Sequence, residues 1–252
     1  MPSIPRRAWN TYIEKLAKVN KAAADRMREW IQINGVSDMD ACIEYAYSLS
    51  TAYGEAAATL ACQMYDAVGL ASDMILEAAV PAEVASYGEV AKTVYGTAKS
   101  SQNVEEMASA IGRLVKRTGQ DTTLKNALRD GAQFAWIPSG DTCAFCITLA
   151  SRGWQYASKN TIKNGHAEHI HSNCDCTYAV RFGPDLNVEG YDPQKYLDMY
   201  ENADGNTPQA RINALRREFY NENKEIINEQ KRSAYAKRIE RNSSAAEELN
   251  VD

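Results

Sequence analysis

Four of the six cysteines and all three histidines of this 252-residue chain lie within the 34 residues from Cys143 to Cys176. The order is Cys143-Ala-Phe-Cys146, then 24 residues, then His171-Ser-Asn-Cys174-Asp-Cys176, with His166 and His169 just upstream. A Cys-x-x-Cys turn brings two thiolates to one ion, because two intervening residues let the chain curl back at the Zn–S distance of ~2.3 Å. The second half supplies an imidazole and two further thiolates. The spacing therefore predicts one structural zinc. The preferred ligands are Cys143, Cys146, Cys174 and His171, Cys176 competes for the fourth place, and His166 and His169 are alternative or supporting groups. Five donors for a site that usually takes four leave no open position for water, which is the mark of a structural metal and not a catalytic one.

Other chemistry fits the same residues less well than zinc. A disulfide between the two halves requires an oxidising setting. A thioredoxin-like redox pair requires a strand before Cys143 and a helix opening at it, and Pro138 and Gly140 interrupt the approach. His166-Ala-Glu168 has the His-x-Glu of zinc deaminases, but there Cys-x-x-Cys follows the histidine, whereas here it precedes it. His-Glu-x-x-His, the zincin pattern, is absent. A Cys143 nucleophile paired with a histidine is the remaining enzymatic reading, and metal ligation would remove it. The enzyme reading is the weaker one.

Helices must carry this segment. After Pro5, Trp9, Tyr12, Ile13, Leu16, Val19, Ala23, Met27 and Trp30 recur at three- and four-residue steps until Gly35. Ser37 is placed to cap a second helix from Met39 to Val68, weakened locally at Gly54. A third is expected to open at Pro81, and a fourth to run from an Asn103 cap to a stop at Gly119. A short helix over 122–133 completes a helical body spanning residues 1–135. Cys42 and Cys62 fall on these helices as core residues.

From Trp136 the character changes. Trp136-Ile-Pro-Ser-Gly-Asp141 reads as turn, with helix only over 146–152 and short strands around 154–156 and 177–182. Residues 136–190 thus form a small α+β metal subdomain. Residues 191–252 form a polar helical tail, helical from about Asp192 and again after Pro208. The fold class is mainly α. In the tail nine Lys or Arg between Arg211 and Arg241 face five acidic residues. Arg216, Arg217, Lys231, Arg232, Lys237 and Arg238 are candidate contacts for DNA or an acidic partner, although a solvated helix face is the default reading of such a strip.

Composition narrows the class further. The chain is 44% hydrophobic and 24% charged with a net charge of −5, which argues against wholesale nucleic-acid binding. No run approaches the ~20 apolar residues of a membrane span. MPSIPRRAWN lacks the apolar core of a secretory signal, so the cysteines are expected as thiols or metal ligands. Tyrosine is abundant (14) and phenylalanine scarce (4), which suits interfaces and half-buried helix faces.

The run from Trp136 through Cys143-Ala-Phe-Cys146 and Leu149-Ala-Ser-Arg-Gly-Trp154, followed by His171-Ser-Asn-Cys-Asp-Cys176, resembles the minor head proteins of tailed phages related to protein F of phage Mu. The form found in phages of Gram-positive hosts, which often carries the label of capsid maturation protease, is the nearest. The motif covers about 40 residues, and the helical body and polar tail around it fit most of the chain. The resemblance implies a virion component made in the host cytoplasm and attached near the portal vertex inside the head. It would act in capsid assembly and genome packaging or delivery, with portal, capsid or scaffold proteins as partners and phage DNA as a further contact. It also implies a metal-type signature at Cys143, Cys146, His171, Cys174 and Cys176. A head maturation protease and a DNA-binding module through the basic tail are the alternatives. No spaced Ser/His/acid set accompanies the protease label.

Overall fold

A computed structural model describes residues 3–100, 104–139, 142–165 and 176–226, together with 228, 229, 231–233, 235 and 236. The expected Asn103 cap and the Gly140-Asp141 turn lie outside the described residues. The chain is mainly helical, as its periodicity predicts.

Helix α1 spans Arg6–Asn34 and buries Trp9, Tyr12, Ile13, Leu16, Ala23, Met27 and Ile31 along one stripe. It ends where Gly35 takes a positive φ of 70° and returns its N–H to Ile31 O. Helix α2, Met39–Ala71, is capped by Asp38, whose carboxylate accepts the Ala41 N–H; the cap is not Ser37. Helix α4, Val104–Asp130, passes through Gly119 without a break. The expected stop is absent because this glycine serves close packing: a Cβ there would lie 3.3 Å from the Ala57 carbonyl oxygen of α2. The helix predicted over 122–133 is simply the end of α4. Helices α1, α2 and α4 pack on one another pairwise, and helix α3, Tyr87–Ser100, lies against α2 and α4.

Pro81 does not start a helix. Residues 74–86 form an extended strap between α2 and α3, and side chains of the neighbouring helices take over the main-chain hydrogen bonds a helix would have made. Asn126 of α4 accepts the Val80 N–H (2.9 Å) and donates to the Val80 carbonyl (2.8 Å). Thr122 Oγ1 accepts from Ala82 N–H, and Asp66 accepts from Ala79 N–H. Lys125 donates to Pro81 O, and Arg129 donates to Ala78 O and Glu77 O. Val84 of the strap lies over Gly54, where a Cβ would approach it to 3.0 Å. The helix begins only after Ser86, whose hydroxyl accepts the Glu89 N–H while the Glu89 carboxylate accepts the Ser86 N–H, a capping box.

The expected turn at Trp136 is a strand as far as Ile137. Strand β2 (Gln133–Ile137) is the centre of a three-stranded sheet ordered β3-β2-β4, with β3 at Gln155–Tyr156 and β4 at Thr177–Arg181, both antiparallel to β2. The β2–β4 register runs from Gln133 opposite Arg181 to Ile137 opposite Thr177. Short helices α5 (Ala144–Ala150) and α6 (Lys159–Gly165) fall between these strands; the second was not anticipated. Strand β1 (Ser3–Ile4) pairs in parallel with β5 (Asn187–Val188). Helix α7, Pro193–Asn202, is capped by Asp192, and helix α8, Pro208–Glu222, by Thr207, each with proline in its first turn.

One core contains Trp9 and Tyr12 of α1, Tyr65 of α2, Phe134 and Trp136 of β2, Val180 of β4, and Cys146 and Cys176. Residues on both sides of position 135 therefore share it. A second core fills the far end of the helical body around Met27, Cys42, Val90 and Ile111. Cys42 is buried there, with its Sγ 3.7 Å from Met107 Sδ, whereas Cys62 is only half-buried.

Candidate metal centre

The cysteine segment is positioned by the ends of β2 and β4. Because the two strands are antiparallel, the end of β2 at Ile137 and the start of β4 at Thr177 lie at the same end of the sheet. The chain leaves β2 toward Cys143 and enters β4 directly from Cys176. Cys143 occupies the N-cap of α5 in extended conformation (φ −73°, ψ 163°), and its sulfur does not cap the helix. Its carbonyl accepts the Ile147 N–H at 2.9 Å. Cys146 lies in the first turn, buried against the core, while Cys143 is half-buried.

Cys176 is buried, and its sulfur meets the main chain just past β2. Ser139 N–H donates to Sγ at 3.3 Å, and Sγ lies 3.8 Å from Ser139 O. Tyr196 of α7 lies nearby, its phenol raised above the usual tyrosine value by burial and then by Cys176. The Trp154 end of the motif is structural. The Trp154 indole donates to Asn187 Oδ1 at 3.2 Å, the Arg181 guanidinium stacks 4.7 Å over its ring, and Gly153 turns the chain with φ 61°.

His166, His169, His171 and Cys174 lie outside the described residues. Among the described residues no group of three or more His, Cys, Asp or Glu is gathered as a metal cluster. Cys143, Cys146 and Cys176 alone therefore do not make one.

The strand and the helix that a thioredoxin-like pair needs are both present, β2 before Cys143 and α5 opening after it, despite Pro138. The third part of that setting is missing. The strand after α5 is β3, antiparallel to β2, so no βαβ crossover is formed.

The basic tail is only partly available. Arg211 stacks 5.4 Å over Tyr200 and donates to Gly205 O, so it holds α8 to α7. Arg216 and Arg217 are exposed on α8. The described residues between 224 and 236 are again helical; there Lys231 lies 5.7 Å over the Tyr220 ring and Arg232 is 3.5 Å from Glu229. Lys237 and Arg238 lie outside the described residues.

The VG15 protein family matches residues 3–203, from β1 to the residue after α7. This chain belongs to the VG15 protein family. VG15 is a phage-associated viral family, so the chain is a phage protein. The match takes in the helical body, the sheet and the whole cysteine segment, and stops before α8 and the basic strip. Neither the curated proteins nor the solved structures contain a significant match to this VG15 chain. Among its described residues no helix is long and apolar enough to cross a membrane.

Proposed function

We propose that this VG15 protein is a minor structural protein of a tailed-phage head. It would sit near the portal vertex and act in head assembly and in packaging or delivery of the genome, as the resemblance to the Mu F-related minor head proteins implies. Its cysteine segment holds one structural zinc. The observation that carries the zinc reading is the antiparallel pairing of β2 with β4, which sends both halves of the ligand set out from one end of the sheet.

The residues fit a zinc ion in their chemistry. Cys143 and Cys146 are spaced as a thiolate pair at the start of a helix. Cys174 is two residues from Cys176, so chain connectivity keeps their Cα atoms within about 7 Å. Cys143, Cys146, His171 and Cys174 are the preferred ligands, with Cys176, whose sulfur accepts the Ser139 N–H, competing for the fourth place. That hydrogen bond anchors the loop to the end of β2. The zinc would cross-link the loop to the sheet and perform no chemistry.

Two measurements test this reading. Purified virions should contain the chain in few copies, and particles made without it should be defective in assembly or DNA content; normal particles lacking the chain would refute the head role. Elemental analysis of the purified protein should give about one zinc per chain. Chelation should open residues 136–190 to protease while helical circular dichroism survives, since structural zinc supplies on the order of 10 kcal/mol. Unchanged proteolysis in metal-free protein would refute the structural zinc.

A further inference from the structure

Between Arg28 and Lys92 the chain carries ten Asp or Glu and no Lys or Arg. This stretch contains all of α2 and the strap. Asp40, Glu44 and Glu55 are exposed along the outer side of α2, and none of them is in an ion pair. Between and beyond them the same side offers Ser48, Ala52, Ala56 and Thr59, small enough for a helix to approach closely. At its end the face becomes apolar: Leu70 is 76% exposed, Met74 42% and Ile75 103%. Glu44 is hydrogen-bonded to Tyr87, but a helix face bearing acids outside any ion pair, small residues and bare aliphatic side chains is suited to a cationic amphipathic helix.

The same chain carries such a segment, which is helical at its described residues from Pro208 to 236 apart from Asn223. From Arg211 to Arg241 there are nine basic and five acidic residues. Arg216, Arg217 and Lys224 are exposed without ion pairs, and Ile226 and Tyr235 are exposed by 60% and 61%. Helix α8 packs on α5 and α7, so the side that carries these cations is directed away from the elements that hold it. An acidic face and a basic helix left unsatisfied on one chain are complementary between copies. DNA is the poorer occupant for the tail, because a phosphate backbone would be repelled by the acidic face of every bound copy.

We infer that the outer face of α2 and the beginning of the strap dock the basic C-terminal helix of a second copy of this chain. The contact joins unlike surfaces, so it is heterologous and propagates from copy to copy until the rotation closes a ring or leaves the assembly open. This inference does not depend on zinc or on the portal.

The test uses the full chain in light scattering and sedimentation. At low salt the protein should form assemblies that grow beyond dimers with concentration and dissociate as salt screens the contact. Two variants separate the halves: Glu44→Lys with Glu55→Lys on α2, and Lys224→Glu with Lys231→Glu and Arg232→Glu on the tail. Each alone should self-associate more weakly on the order of tenfold, and mixing the two should restore association through the unaltered face of one and the unaltered tail of the other. Glu55→Lys alone, at an exposed position, checks that loss of association is not loss of fold. A wild-type protein that stays monomeric at low salt would overturn the inference. So would variants that associate as wild type, a mixture with no rescue, or a tail variant whose only defect is duplex DNA binding.

Discussion

Asn126→Ala should release the strap without unfolding the body. Asn126 is fully buried; its amide accepts the Val80 N–H at 2.9 Å and donates to the Val80 carbonyl and to Thr122 O, each at 2.8 Å. Truncation leaves both Val80 groups without partners, at about 1–3 kcal/mol each when water cannot reach them. Val80 is 42% exposed, which places the cost at the low end. Alanine also returns roughly 0.6 kcal/mol of helix propensity to α4. The net loss is then about 1.5–3 kcal/mol. In native-state hydrogen exchange the Val80 amide should exchange roughly ten- to hundredfold faster, since 1.4 kcal/mol is a factor of ten. Ala79 and Ala82, held by Asp66 and Thr122, should follow if the strap opens as a unit, while α1 amides keep their protection. Asn126→Asp retains an acceptor for the Val80 N–H and should free the carbonyl alone. If Asn126→Ala lowers the urea midpoint but leaves Val80 exchange unchanged, these hydrogen bonds do not hold the strap and the reasoning fails.

Two further expectations concern the body. Gly119→Ala should destabilise by about 1–3 kcal/mol, because the new methyl would lie 3.3 Å from Ala57 O and push α2 and α4 apart. Helix propensity alone predicts a gain of about 1 kcal/mol, so a raised melting temperature would refute the close-packing role. Asp130 is held below the usual carboxylate range, first by Arg129 and then by the Tyr65 hydroxyl at 2.8 Å. With its folded pKa below the unfolded value, its contribution is complete above about pH 4 and is lost as pH falls through the lowered value. Urea midpoints between neutral and acid pH should show less acid destabilisation in Asp130→Asn; an identical slope would show that other carboxylates carry the effect.

What the sequence revealed was mostly local. The stripe from Trp9 to Met27 and the Ala-rich run of α2 declare helices by period, and Asp192-Pro193 and Thr207-Pro208 declare their starts. Glycine and proline misled where their reasons were tertiary. Gly119 reads as a stop until Ala57 is seen against it, and Pro81 reads as a helix start until Asn126 and Thr122 are seen holding the strap. The true start, Ser86 with Glu89, was legible as a capping box and was missed beside the louder proline. Strand β2 was hidden because its partner lies forty residues on, and Pro138 with Gly140 drew attention to the turn that follows it. The metal-type spacing of Cys143 and Cys146 was plain. That Cys176 serves Ser139 depends on strand register and could not be read from spacing.

The pairing of Ser3 and Ile4 with Asn187 and Val188 places a condition on synthesis. At roughly 5–20 residues per second, Val188 is made about 10–40 seconds after Ile4. Throughout that interval the start of α1 lacks its strand partner, although the rest of the helical body can already assemble. That pairing then closes a loop that spans most of the chain, and Arg6 marks the seal: its main-chain N–H donates to the Glu189 carboxylate at 2.8 Å. A chain cut short before that point would carry a formed bundle whose first strand has nowhere to go, and quality control in the host would meet it as an exposed edge.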